Sequence, residues 1–374
     1  MMQITQIDTW LTSPCASEDG WTDVESFLFV RLTSDDGYEG WGEAFTLPYR
    51  DTGVAAMIHA LGSEAMAMED LTPAAFRSLG DSLAHKHRGI DYATATSALE
   101  MAIWDLEAQR QGLPLHRLLG ESVREEIPVY ANIWSNQYKE DKVLADRAEM
   151  FVARGYRAIK MYPLQFRTVE QAAACVAAVR ARIGGAVDLM LDLACPDDPE
   201  IPLALAPLVE PYSPYWYEEP ADGDDLTALA AIRAKTGFPI VTGERQTGLL
   251  HFRDVIRMRA VDILNPDIAS VGGILDMLQI AEEAEKVGIT VSPHCWNSTT
   301  IAVAAMLHVC RVMPNAGPAE IATGYDSAGR RFVDPGYMIS GGTARLSDAP
   351  GLGVTVDTRM LTSLASRETT ERNS

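Results

Sequence analysis

Between Asp192 and His294, five short apolar runs each end in an ionisable residue: LMLD at Asp192, YWYEEP at Glu218, PIVTGE at Glu244, ILNPD at Asp267 and ITVSPH at His294. The first three carboxylates lie 26 residues apart in both steps. That period is about one strand, one loop and one helix, the repeat of parallel strands joined by helical crossovers. In such an arrangement every strand C-terminus falls on one face, so the five ionisable residues converge there.

The same rhythm extends on both sides. IPVYANI, YRAIKMYP, VDLMLDLA, YWYEEP, PIVTGER, VDILNPDIA, ITVSPHC and AEIA read as eight short apolar strands. Amphipathic stretches such as DKVLADRAEMFVARG and TVEQAAACVAAVRARIGG separate them and close on glycine, as helices do. The count predicts an α/β fold of the (β/α)7β barrel type over residues 119–325, with no helix after the eighth strand. Residues 1–118 read as α+β: strands first, with FLFVRLTSDDGYEGWGEA as an antiparallel hairpin, then helices, of which ATATSALEMAIWDLEAQRQG is the clearest. Residues 326–374 are Gly- and Pro-rich with short extended pieces that return to pack on the N-terminal region. The final SRETTERNS is expected to fray.

Composition narrows the function. A formal net charge of −21 argues against nucleic acid or an anionic membrane as partner, since both would be repelled. Five cysteines, Cys15, Cys175, Cys195, Cys295 and Cys310, show no CxxC spacing, so neither a disulfide scaffold nor a zinc ribbon is suggested. A reducing cytoplasm is the expected compartment. The opening MMQITQIDTW lacks a secretory pattern, and the longest apolar helical run, near Thr300, is too short to span a bilayer.

Carboxylates after strands often only cap the next helix. Three at equal spacing on one face are different, because burying them together without a cation raises their pKa values and costs several kcal/mol. Hard oxygen ligands without Cys or His suit Mg²⁺. In this order the motifs resemble the enolase superfamily, in its mandelate racemase-like subgroup: Lys160 in RAIKMYP, Asp192 in LMLD, Glu218 in EEP, Glu244 in GER, Asp267 in NPDIASVGG and His294 in SPHCWN. GWGEA (40–44), LEMAIWDLEAQRQGLPLHRLLG and PGLGV are similar to that superfamily's capping domain, its link into the barrel and its returning tail.

The resemblance implies a modified (β/α)7β TIM barrel under an α+β capping domain formed by the N-terminal region and the tail. It also implies one Mg²⁺ per chain on Asp192, Glu218 and Glu244, a small-molecule carboxylate substrate and a homo-oligomer. His294 would take the α-proton, oriented by Asp267. Lys160 would stabilise the resulting enediolate, as Mg²⁺ and the bases of this superfamily do. Glu320, on AEIA, would donate a hydrogen bond to the enediolate in protonated form.

Three departures from the subgroup bear on the reaction. Tyr162 stands where a second lysine is usual, and on a strand it would face the same way as Lys160. A phenol is a poor base but a good hydrogen-bond donor or acid. Tyr162 therefore favours loss of a leaving group, the dehydration of an aldonate or aldarate to a 2-keto-3-deoxy acid. Racemisation, epimerisation or lactone cycloisomerisation through the same enediolate is the first alternative, and a non-catalytic sugar-acid binding protein the second. Ala194 follows the metal Asp where relatives carry a polar residue. Arg245, alternating with Glu244, is expected to face the helices, and Glu219 to sit behind Glu218. For the substrate's far end, Trp21, Arg50, His87 and Trp296 are the candidates, and their polar, partly basic character suits a hydroxylated acid.

Overall fold

The computed structural model describes residues 2–12, 26–47, 49–134 and 140–372. The N-terminal unit begins with β1 (Ile4–Thr12), β2 (Leu28–Ser34) and β3 (Glu39–Ala44), an antiparallel meander. Helices α1 (Asp51–Met66), α2 (Pro73–Leu83) and α3 (Ile90–Gln111) follow, and α4 (Leu115–Leu119) leads out. Helix α3 lies so close to β3 that a Cβ on Gly40 would come within 2.2 Å of the Ala102 carbonyl oxygen. One on Gly42 would come within 2.0 Å of that of Ala98. The glycines of GWG are thus what lets strand and helix touch. A left-handed Gly112 ends α3.

Eight parallel strands come next: β4 (Ile127–Asn132), β5 (Ala158–Met161), β6 (Asp188–Asp192), β7 (Trp216–Glu218), β8 (Ile240–Thr242), β9 (Ile263–Leu264), β10 (Thr290–Val291) and β11 (Ala319–Ala322). They pair in chain order from β4 to β10, and β11 pairs with β4. Between β10 and β11 the Gly317 N–H donates to the Val291 carbonyl (2.7 Å) and the Glu320 N–H to that of Pro293 (3.1 Å), which closes the ring. Its interior is filled by Tyr130, Ala158, Met190, Trp216, Val241 and Ile263.

Around it stand α5 (Asp141–Ala153), α6 (Val169–Ile183), α7 (Glu200–Val209), α8 (Leu226–Thr236), α9 (Gly248–Met258), α10 (Ile274–Glu285) and α11 (Thr300–Val312). Local sequence sets their starts: Thr168 and Gln171 form a capping box on α6, and Asp225 caps α8.

Two expectations about the C-terminal part need correction. A short helix, α12 (Thr323–Gly329), does follow the eighth strand, in a stretch whose glycines read as loop. The residues of SRETTERNS up to Arg372 do not fray. Beyond β12 (Val333–Asp334), the hairpin β13 (Tyr337–Ser340) and β14 (Thr343–Leu346), β15 (Thr355–Val356) and α13 (Thr358–Leu364), the last strand β16 (Ala365–Arg372) pairs antiparallel with β1 and completes the first sheet. Its polar side chains are those of a solvent-facing edge strand, and Thr370 donates to Asp8 Oδ1 (2.6 Å). The β13–β14 hairpin instead extends β4.

Three fully buried carboxylates from this unit hold backbone N–H groups: Asp105 accepts from Trp41 (2.8 Å) and Leu352 (2.7 Å), Glu100 from Leu275 (2.8 Å), and Glu43 from Ala302 (2.9 Å). Burial pushes Glu43 and Asp105 up to about 7 and Glu100 to about 8. A raised carboxyl pKa means that the folded chain holds protons the unfolded chain has lost. That stabilisation is complete below about pH 4.5 and is lost as pH rises through 7 to 8. The melting temperature of the metal-free protein is therefore expected to fall between pH 6 and pH 8.5 in calorimetric scans. A flat or rising trend would contradict it.

Candidate active site

The strand ends bring Asp192, Glu218 and Glu244 together. Each offers an oxygen, and these oxygens all lie within 4.8 Å of one another. Asp192 and Glu218 are buried at the ends of β6 and β7, and Glu244 is partly buried after β8. The Glu218 Oε2 atom is buried without a hydrogen-bond partner, a costly state for a carboxylate oxygen. Burial pushes Asp192 up to about 6, against the pull of Lys160, and raises Glu218 well above the carboxylate range. An all-oxygen donor set of this charge, with an orphaned atom at its centre, fits a hard divalent cation.

Lys160, fully buried on β5, reaches into the same cluster. Its Nζ lies 2.6 Å from Glu218 Oε1, 3.0 Å from Glu320 Oε1, 3.8 Å from Asp192 Oδ2 and 5.5 Å above the Tyr130 ring. Burial alone would lower its ammonium, but Glu218 and Glu320 outweigh it and hold the pKa above its ordinary value.

His294 Nδ1 is 2.8 Å from Asp267 Oδ2, and Nε2 is 3.2 Å from Glu244 Oε2 and 3.7 Å from Glu320 Oε2. Asp267 is itself fixed, Oδ1 by the Ala269 N–H (2.8 Å) and Oδ2 by the Trp296 N–H (3.3 Å). An Asp bonded at Nδ1 keeps that nitrogen protonated and turns Nε2 toward the carboxylates. Burial lowers the imidazole, but Glu244, Glu320 and Asp267 together carry it up to about 10 in the absence of a cation.

Glu320 belongs to the cluster, but not in the protonation state expected from its acidic surroundings. Burial would raise it. Lys160, His294 and bonds from Lys160 and the Cys295 N–H outweigh that and hold it below the ordinary carboxylate value. It accepts from Asn132 Nδ2 (2.7 Å) and the Cys295 N–H (3.1 Å) rather than donating. The cations that decide this come from β5 and β10, remote in sequence.

Tyr162 lies just past β5, half-buried, its ring edge-on to Trp134 at 5.1 Å. Burial and Asp192 raise its phenol, so it stays protonated. Arg245 does not face the helices: it is half-exposed at the mouth, its Nε 3.6 Å from Glu244 Oε1. Glu219, fully buried, accepts from Thr242 Oγ1 (2.7 Å), the Gly243 N–H (3.1 Å) and Cys195 Sγ (3.0 Å).

Of the residues expected at the substrate's far end, Trp296 lines a pocket with Asn132, Trp134, Thr323 and Tyr325, and its ring stacks on Trp134 at 6.0 Å. Arg50 instead pairs with Asp91 of α3 (2.7 Å). His87 is exposed in the turn between α2 and α3, and Trp21 falls outside the described residues. This described part of the wall combines three aromatic rings, Trp134, Trp296 and Tyr325, with the polar Asn132 and Thr323.

Sequence reasoning passed over Asn265, which donates to Glu218 Oε1 (3.0 Å), as well as Asn132 and Trp134. Asn265 lies two residues before Asp267, and Asn132 ends the first barrel strand; position on the strand was the available signal.

The chain matches two family models: "Mandelate racemase / muconate lactonizing enzyme, N-terminal domain" over residues 3–120, and "Enolase C-terminal domain-like" over residues 143–360. It is 30% identical over 351 residues to a D-gluconate dehydratase of Thermoproteus tenax, covering 89% of this chain and 69% of the relative. To a D-galactonate dehydratase of Ralstonia nicotianae it is 28% identical over 375 residues, covering 95% and 92%. Among solved structures it resembles an enolase from the Sargasso Sea environmental genome sequencing (TM-score 0.96, 36% identity, 99% and 98% covered). It also resembles the 3,6-anhydro-D-galactonate cycloisomerase from Zobellia galactanivorans (TM-score 0.86, 25% identity, 98% and 100% covered).

Proposed function

The chain belongs to the mandelate racemase/muconate lactonizing enzyme family of the enolase superfamily, and from that premise we propose that it is a hydro-lyase that dehydrates an acid sugar to a 2-keto-3-deoxy acid. The observation that carries the reading is the one-sided proton-transfer pair: His294 on Asp267 faces the carboxylate cluster, while Tyr162 takes the place of a second lysine. The gluconate and galactonate dehydratases among its relatives support the same chemistry.

Asp192, Glu218 and Glu244 would hold one Mg²⁺. Bound there, it would offset two of the three carboxylate charges, relieve His294 of much of the Glu244 charge and supply a Lewis acid for the substrate carboxylate, which would acidify the α-proton. Neutral His294 removes that proton through Nε2, and Asp267 stabilises the imidazolium. Lys160, held as a cation, faces the negative charge that develops on the carboxylate oxygens. Glu320 holds Lys160 and the Cys295 backbone in place. The hydroxyl on the next carbon then leaves with a proton, and Tyr162, kept protonated by burial, can donate to it.

A screen of aldonates, aldarates and their lactones for 2-keto acid formation, with and without EDTA, tests the assignment. Exchange of the α-hydrogen with solvent deuterium, without any keto acid from any sugar, would sink the dehydratase reading in favour of an isomerase. Replacing Tyr162 with Phe is expected to slow dehydration about tenfold or more while leaving α-hydrogen exchange near wild type. Equal losses in both would remove Tyr162 from the leaving-group step.

A further inference from the structure

The capping unit enters the barrel mouth through the residues from Glu43 to Thr46. Glu43 is fully buried, and both its oxygens accept from the start of α11: the Thr299 N–H on Oε1 (2.5 Å) and the Ala302 N–H on Oε2 (2.9 Å). The N-cap Thr299 makes no side-chain cap of its own, so a carboxylate from the other unit supplies it. Its oxygens satisfy N–H groups that would otherwise be orphaned, and when ionised it is favourably placed against the helix dipole. Next to it, the Phe45 N–H donates to the Ala269 carbonyl (3.3 Å), and the Phe45 ring lies 6.0 Å from that of Trp296. Asn297 Nδ2 donates to the Thr46 carbonyl.

These contacts fall on two loops, the one after Asp267 and the one after His294. Inside the barrel Asp267 itself joins the same loops, accepting from the N–H groups of Ala269 and Trp296 and from His294. The pair is therefore fastened twice, once from below by Asp267 and once from above by the end of β3. The carboxylate platform hangs from β6, β7 and β8, on other loops.

We propose that Glu43, with the segment that follows it, is a positioning residue for the His294–Asp267 pair, so that seating of the capping unit sets the geometry of proton abstraction. A displacement of about 1 Å in a reacting group costs on the order of a hundredfold in rate. Loss of Glu43 would free the start of α11 and the loop that carries His294. Metal and substrate-carboxylate binding, anchored elsewhere, would be largely spared.

This inference rests on the reading of His294 as the base. Its test compares three variants of the full chain with Mg²⁺: Glu43→Gln, Asn297→Gly and, as a matched control, Asp105→Asn. Asp105 is equally buried and also accepts two backbone N–H bonds, but from Trp41 and Leu352, away from the two loops. Asn297 has a positive φ of 54°, which glycine accepts, so that variant removes the Thr46 contact without backbone strain.

Glu43→Gln and Asn297→Gly are expected to lower kcat at least tenfold, with KM and Mg²⁺ affinity within about twofold. Asp105→Asn should lose melting temperature yet keep kcat within twofold. A Glu43→Gln loss no larger than that of Asp105→Asn overturns the proposal; if Glu43→Gln does not fold, wild-type kcat in Asn297→Gly does so. A second readout needs no substrate: the His294 Nδ1–H NMR resonance should shift in the first two variants and stay in the control, and an unchanged resonance in all three overturns it. Absence of turnover by the wild type would retire the dehydratase reading and leave this second readout to decide.

Discussion

Replacing His294 with Asn is expected to lower kcat by about 10³-fold, within the 10² to 10⁴ that a positioned general base contributes. KM and metal affinity should move little. Asn keeps an N–H toward Asp267, so the buried carboxylate retains a partner, but the nitrogen facing the carboxylate cluster is no longer basic. The same substitution should abolish exchange of the substrate α-hydrogen with deuterated solvent, because no second lysine stands on β5. Exchange that survived in His294→Asn would show that another group takes the proton and would end the one-sided mechanism.

Removal of the divalent cation is the second large effect. Chelation should bring turnover to background, and Mg²⁺ should restore it. Glu218→Gln should be inactive at Mg²⁺ concentrations that saturate the wild type. Burial first, and then neighbouring carboxylates, raise Asp192 and Glu218 in the metal-free chain, so a bound cation would offset both costs as well as adding bonds. At about a hundredfold excess over Kd, bound Mg²⁺ contributes about 2.7 kcal/mol, a few degrees in melting temperature for a chain of this size. Full activity in EDTA, with no metal found in the protein by elemental analysis, would refute the assignment.

The barrel was legible because its strands are short, apolar and regularly spaced, and because five of the apolar runs end in an ionisable residue. The clustering of Asp192, Glu218 and Glu244 and the contact between His294 and Asp267 were legible for the same reason. Other features depend on pairings that one local segment does not encode. Glu320 looked like a protonated donor from its acidic neighbours; Lys160 and His294, on other strands, set it as an acceptor. Arg245 was read by alternation, but β8 ends at Thr242, so period two no longer applies three residues later. The final SRETTERNS is polar enough to look frayed, yet up to Arg372 it finds partners remote in sequence, the edge of β1 and, for Glu371, His59 and Ser63 of α1. Helix α12 is seven residues long, too short for a period of 3.6 to show.

The pairing of β16 with β1 joins residues up to 366 positions apart, Gln6 with Arg372. During synthesis the first sheet therefore has three strands and an open edge on β1 while the whole barrel is being made, and it closes only after β16, which follows the barrel in the chain, has emerged. The unit that seats on the barrel mouth is in this sense begun before the barrel and finished after it.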